Sequence, residues 1–259
     1  MDPIRIFVGT EPKTQVMFRV LEHSIRANTT TPVEVTPMAG PGWEYPTAGF
    51  SQGTGFSLRR WMIPAACGWA GRAVYLDADQ VVFGDVAELW GYAAAPAPAG
   101  TAVWCTYQPD KYSKTPWPQT SVMVIDCARA EAEWGFHIDR ALAHLRAAPD
   151  KKTYADFMHA TWLSAPPARL PVGWNHLNVY APGETRLLHY TKEPEQPCYK
   201  PDHPLAHLWK AALVRAARAG AVPRAEVEYA LAQWGKKVDW RHQNGLHPAY
   251  KSVVKECSR

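Results

Sequence analysis

An α/β fold built on a mostly parallel sheet is what this chain of 259 residues predicts, and three observations carry the prediction. Short apolar, β-branched runs alternate with stretches of helical spacing along the N-terminal half, which is the pattern of β-α-β units and hence of a parallel sheet. One of those runs, AVYLDADQVV at 73–82, delivers two carboxylates, Asp77 and Asp79, to one point, and strand ends are where such sheets bind ligands. No internal repeat or low-complexity period suggests a different architecture.

IRIFV at 4–8 reads as the first strand, closed by Gly9 and Thr10, and QVMFRVLEHSIRAN at 15–28 places its apolar residues at helical spacing. PVEVTPM at 32–38 is a second strand. The Gly- and Pro-rich stretch at 39–55 has no core-forming pattern, and loops of that length are usually functional or disordered. FSLRRWMIPAACGWAG at 56–71 reads as a helix containing a proline, and RAVYLDADQVV at 72–82 as one strand. AAAPAPAGTA at 93–102 is a low-complexity surface link, AVWCTY at 102–107 a strand, and SVMVIDC at 121–127 an apolar strand whose Asp126 is placed to cap a helix over 130–148. Residues 153–163 read as a helix carrying Asp156. RLLHYT at 186–191 is a short strand holding His189, followed by a polar, Pro-rich loop at 192–204. From about 204 onward the pattern gives two helices and a basic, aromatic tail.

Composition narrows the function. With 47% hydrophobic and 20% charged residues the chain can bury one large core or two small ones. Its net charge is +4, but no Lys/Arg run exceeds a pair such as Arg59-Arg60 or Lys236-Lys237, so no nucleic-acid stripe is present. The N-terminal MDPIRIFVGTEP turns polar within a few residues, and no apolar stretch approaches the roughly 18 to 20 residues that span a bilayer; the expectation is a cytoplasmic protein. Five cysteines at 67, 105, 127, 198 and 257 form neither a paired framework nor a C-x-x-C spacing, which predicts reduced thiols and no structural zinc. The 12 tryptophans are expected mostly in the core, although indoles also stack on sugars.

Two ionised carboxylates brought together repel one another and lose hydration, so Asp77 and Asp79 call for a cation between them. Mn²⁺ or Mg²⁺, shared with the diphosphate of a nucleotide, suits such oxygen donors. A rival reading is a phosphatase of the haloacid-dehalogenase kind, since an apolar strand followed by Asp77-Ala-Asp79-Gln-Val81 also describes its nucleophile loop. Against it, a strand-helix-strand unit precedes the motif and no downstream acidic pair is evident. A sugar nucleotidyltransferase would need a Gly-rich, basic phosphate loop after the first strand, which GTEPKTQ does not provide.

Residues 56–90, FSLRRWMIPAACGWAGRAVYLDADQVVFGDVAELW, resemble the signature region of glycosyltransferase family 8, the glycogenin and lipopolysaccharide galactosyltransferase relatives. The similarity lies in Arg60 four residues before Pro64, the apolar strand, the D-x-D, and the close made by Gly84, Asp85, Val86, Leu89 and Trp90. It continues in SVMVID and RLLHYT and runs from residue 4 to about 210. The resemblance implies a GT-A fold, Rossmann-like, with a mostly parallel mixed sheet flanked by helices, over 1–203, and a helical C-terminal extension with a basic aromatic tail over 204–259. It also implies a nucleotide diphosphate sugar, usually UDP-glucose or UDP-galactose, a divalent cation, and retention of anomeric configuration.

Carried over by position, the resemblance makes Asp77, Asp79 and His189 the metal ligands. It puts Val8, Gly9 and Thr10 at the base and ribose, and Ala78 beside the nucleotide. Arg60, or Arg59 next to it, contacts the donor sugar and the neighbouring carboxylates. Gln119, in Pro118-Gln119-Thr120-Ser121, supplies an amide to the sugar, and Asp156 lies near the β face of the anomeric carbon. Lys192 and Lys200 are the candidates for the diphosphate. Relatives carry a glycine-containing loop ending in Lys-Pro-Trp after the histidine strand, whereas this chain reads Gln196-Pro197-Cys198-Tyr199-Lys200-Pro201, and Ala155 precedes Asp156. Those departures are the support for a catalytically inactive glycan- or nucleotide-binding protein. The acceptor, a glycan, a lipid-linked glycan or a small molecule, falls to 40–55, 108–118 and the tail from 235, which also offers peripheral membrane contact.

Overall fold

The structure, a computed structural model, describes residues 2–44, 56–94, 98–109, 114–134, 147, 155, 158–191, 195–236 and 245–257. In chain order these form β1 (Ile4–Gly9), α1 (Gln15–Ala27), β2 (Val33–Pro37), α2 (Ile63–Ala66), β3 (Arg72–Asp77), β4 (Gln80–Val82), α3 (Val86–Gly91) and β5 (Val103–Gln108). There follow β6 (Trp117–Asp126), α4 (Cys127–Trp134), β7 (Ala168–Arg169), β8 (His176–Leu177), β9 (Leu187–His189), α5 (Ala206–Arg218) and α6 (Arg224–Gln233). Two compact units result. One comprises Met1–Gly9, Thr31–Asp77 and Ala87–Trp174, the other Thr10–Thr30, Ala78–Val86 and Asn175–Arg259.

The first unit holds a six-stranded sheet in the order β2-β1-β3-β6-β5-β7. β1 runs parallel to β2 and β3, β7 parallel to β5, and β6 lies antiparallel to both β3 and β5, so a single strand runs against the other five. Strands β1 and β3 are covered on both faces, which is why their sequences are nearly unbroken apolar runs rather than alternating ones. One core cluster joins Tyr75, Met123 and Ile125 of the sheet to Leu58, Trp61 and Ile63. Asp126 caps α4 as expected: its Oδ1 accepts from the Arg129 backbone N–H at 3.0 Å.

The second unit holds a three-stranded sheet in the order β4-β9-β8, with β4 antiparallel and β8 parallel to β9. Helix α1 buries Val16, Met17, Phe18, Val20, Leu21 and Ile25 on one face, as its spacing requires, and α5 buries Trp209, Leu213, Ala216 and Ala217. Arg19 of α1 pairs with Glu226 of α6 at 3.0 Å. The C-terminal end of α1 also grips β4: the Val82 N–H donates to Ser24 Oγ at 3.0 Å and Asn28 Nδ2 donates to the Val82 carbonyl at 3.1 Å.

Several expected elements are redrawn. The strand expected over 72–82 breaks at Ala78 and Asp79, ending as β3 in the large sheet and resuming as β4 in the small one. The helix expected over 56–71 is a 3-10 turn, Arg59–Met62, running into the four residues of α2. Pro64 removes a helix donor, and Gly68 and Trp69 turn the chain at φ 61° and 55°, with the Trp69 N–H on the Pro64 carbonyl at 2.8 Å. The strand at 121–127 starts earlier, at Trp117, and the two-residue strands β7 and β8 carry no sequence signal. Most residues of the helix expected over 130–148 lie outside the described ones, as do 153, 154, 156 and 157 of the helix expected over 153–163, 45–55 of the long loop and 237–244 of the tail; residues 159–162 are turn rather than helix. All five cysteines are free thiols, and burial pushes that of Cys105 up to about 12. Among the described residues no helix is long and apolar enough to cross a membrane.

Candidate active site

Asp77 closes β3 two residues after Tyr75, so both side chains leave the same face of the strand. The Tyr75 hydroxyl donates to Asp77 Oδ1 at 2.5 Å, and Arg60 Nη2 approaches the same oxygen at 3.4 Å. The Arg60 guanidinium also lies over the Tyr75 ring, 4.6 Å from its centroid. Arg60 is buried, and its remaining donors go to the Ser57 carbonyl at 2.9 Å and to the Thr120 carbonyl and Oγ1 at 2.6 and 3.0 Å. A buried cation needs this complement of acceptors. Thr120 Oγ1 donates onward to the Met158 carbonyl at 2.5 Å. Gly9, paired with Asp77 across β1 and β3, completes the arrangement: a Cβ there would overlap Tyr75 Oη and stand 2.7 Å from Phe56 Cδ2. Its backbone is not left-handed, so space rather than conformation excludes a side chain.

Asp79 and His189 meet because β4 and β9 pair with Gln80 opposite His189. His189 Nε2 lies 3.2 Å from Asp79 Oδ1. The other ring nitrogen, Nδ1, faces Asn175 Oδ1 at 3.0 Å, an acceptor that favours a proton on Nδ1 and turns Nε2 toward Asp79. Asp79 Oδ2 accepts from Gln196 Nε2 at 2.7 Å, whereas Oδ1 is buried with no hydrogen-bond donor. An imidazole nitrogen and a buried carboxylate oxygen at that distance are held together by a proton on Nε2, as an ion pair, or by a cation between them.

One ligand atom from each of Asp77, Asp79 and His189 lies within 4.8 Å of the others. The three side chains are 13%, 18% and 6% exposed. Two carboxylate oxygens and an imidazole nitrogen, largely withdrawn from water and lacking a donor of their own at Asp79 Oδ1, can bind a divalent metal ion.

The other expected site residues are placed as follows. Val8 and Ala78 are buried, and the buried Thr10 hydroxyl pairs with that of Thr14 at 2.9 Å. Gln119, on β6, donates its amide to the Gln108 carbonyl at 3.2 Å. Arg59 Nη1 donates to the Met38 carbonyl at 2.7 Å. Lys200 is exposed and its backbone N–H donates to the Gln196 carbonyl at 2.8 Å. Asp156 and Lys192 lie outside the described residues. Four participants went unnoticed in the sequence: Tyr75, Thr120, Asn175 and Gln196. Only Tyr75 left a trace, the two-residue spacing to Asp77.

No family model matches the sequence. Protein CDI of Arabidopsis thaliana is 33% identical over 92 residues, 34% of this chain and 36% of that protein, so the match spans about a third of each. Among solved structures, the galactosyltransferase LgtC in complex with donor and acceptor sugar analogues has a TM-score of 0.61 at 11% identity, over 81% of this chain and 95% of that one. The glycosyltransferase GlyE of Streptococcus pneumoniae TIGR4, in its apo form, gives 0.61 at 11% identity, over 82% of this chain and 60% of that one. The apo bifunctional glycosyltransferase WbbM gives 0.55 at 10%, over 82% of this chain and 49% of that one, so this chain spans about half of its length. The likeness is one of fold: this is the mixed, mostly parallel α/β architecture of GT-A proteins.

Proposed function

We propose that the chain is a divalent-metal-dependent, retaining glycosyltransferase of the family 8 kind, acting in the cytoplasm. It moves a hexose from UDP-glucose or UDP-galactose to an acceptor hydroxyl on a glycan, a lipid-linked glycan or a small molecule. The observation that carries this reading is Asp79 Oδ1, buried without a donor and 3.2 Å from His189 Nε2, on a GT-A fold. That LgtC was solved with donor and acceptor sugar analogues supports a sugar donor and a sugar acceptor here. Residues 1–203 form the transferase domain and 204–259 its helical extension.

In this reading Asp77, Asp79 and His189 hold Mn²⁺, or Mg²⁺. When bound, the ion offsets the charge that builds on the diphosphate as the glycosidic bond breaks. Val8, Gly9 and Thr10 end β1 at the base and ribose, with Ala78 beside the nucleotide. Lys192 and Lys200 bring ammonium groups to the diphosphate oxygens. Gln119 offers its amide to the sugar, and Asp156 supplies negative charge to an oxocarbenium-like transition state. Arg60 and Tyr75 commit one oxygen of Asp77, which supports a ligand's role for that carboxylate over a phosphatase nucleophile's.

The test is calorimetric titration with UDP, with and without Mn²⁺, followed by nucleotide sugars scored for slow hydrolysis. Mn²⁺-dependent binding and hydrolysis of one UDP-hexose are expected, both lost in His189→Ala. Nucleotide binding indifferent to Mn²⁺, or none at all, overturns the reading.

A further inference from the structure

We propose that Gln196 is the positioning residue of the metal centre: its amide commits one oxygen of Asp79, leaving the other as the sole metal ligand atom of that carboxylate. The inference rests on the metal reading above and adds a residue to it. Gln196 is buried, and its Nε2 donates to Asp79 Oδ2 at 2.7 Å and to the Tyr190 carbonyl at 2.9 Å. Both partners only accept, so the amide orientation is determined; turned over, Oε1 would face a carboxylate and a carbonyl. The two N–H bonds are therefore both used, and the one to Asp79 is charge-assisted. With Oδ2 taken, Asp79 presents Oδ1 alone, the buried oxygen that has no donor and faces His189 Nε2.

The same residue organises the segment that carries it. The Gln196 carbonyl accepts from the Tyr199 and Lys200 backbone N–H groups at 2.9 and 2.8 Å, so one residue closes the turn 196–200 with its main chain and orients a metal ligand with its side chain. Tyr190, whose carbonyl is the second anchor, follows His189 directly and donates its own backbone N–H to the Asp79 carbonyl at 3.1 Å. Shape of the turn and affinity for the ion are thereby linked through a single residue. A Gln that merely tied the turn to Tyr190 would affect stability and leave the ion untouched.

That difference is the test. The nucleotide-free protein is titrated with Mn²⁺ by calorimetry, and the bound ion is examined by electron paramagnetic resonance, in the wild type, Gln196→Met, Gln196→Leu and Asp79→Ala. The wild type should bind the ion and Asp79→Ala should not. Whichever apolar Gln196 variant retains the wild-type circular dichroism should bind about 10- to 100-fold more weakly, with an altered Mn²⁺ spectrum. Wild-type affinity and an unchanged spectrum in a folded Gln196 variant would overturn the role of Gln196 while leaving the metal reading intact. Failure of the wild type itself to bind Mn²⁺ would overturn the metal reading, and this one with it.

Discussion

Asp77 and Asp79 stand one residue apart and are balanced in opposite ways. Asp77 Oδ1 has a phenol at 2.5 Å and a guanidinium at 3.4 Å, so its charge is met by the protein. Asp79 has a neutral amide on Oδ2 and, on Oδ1, no donor and a facing imidazole nitrogen. The first carboxylate is an anchored group whose removal strands a buried arginine. The second meets only a neutral amide and an imidazole, which balances its charge only when the ring is protonated, so it is the carboxylate that a bound cation would serve most. A D-x-D motif thus need not be a pair of equivalent ligands, and the neighbours of each oxygen, rather than the motif, distinguish them.

The largest effect that sharpens this contrast comes from the same replacement made twice. Asp79→Asn should abolish Mn²⁺-dependent UDP binding yet raise the melting temperature of the metal-free protein by a few degrees. An amide there can donate toward His189 Nε2 while its oxygen still accepts from Gln196, so a buried charge is removed with both contacts kept. Asp77→Asn should instead lower the metal-free stability by about 2 kcal/mol, because Arg60 loses its carboxylate. Calorimetric melting of both proteins decides it, and shifts of the same sign would break the contrast. Next, Arg60→Met should cost about 3 kcal/mol in denaturant unfolding, since it removes the buried donor that Thr120, Ser57 and Asp77 share. A loss under 1 kcal/mol there would show that Asp77 does not depend on its cation. The smallest effect belongs to Tyr75→Phe: about 1 kcal/mol of stability lost, with Mn²⁺ affinity largely kept, as read by the same melting and titration.

How much of this was legible in the sequence depended on distance along the chain. The first strand, α1 and the Asp126 cap were, because each is written in residues within one turn or one strand of each other. The carboxylates were, because an apolar run that ends in two charges is a local contradiction. His189 entered only through a resemblance, and the structure joins it to Asp79 through pairing between β4 and β9, a contact 110 positions long that periodicity does not encode. The break at Ala78 was hidden for the converse reason: RAVYLDADQVV is equally apolar on both sides, so nothing local says that it serves two sheets. Gln196 was illegible altogether, since a glutamine before a proline in a polar loop looks solvated until Asp79, 117 residues away, is folded against it. Asp156 and Lys192 lie outside the described residues.

The grip of α1 on β4 has a consequence for behaviour at high concentration. β4 is an edge of its sheet, and an edge strand whose main-chain groups face outward is a template on which another molecule can add a strand. Here the Val82 N–H and carbonyl are already taken by Ser24 and Asn28, two side chains one helical turn apart. At Val82 the edge therefore offers neither main-chain group to a strand from another molecule, because two small polar residues at the C-terminal end of α1 already hold both.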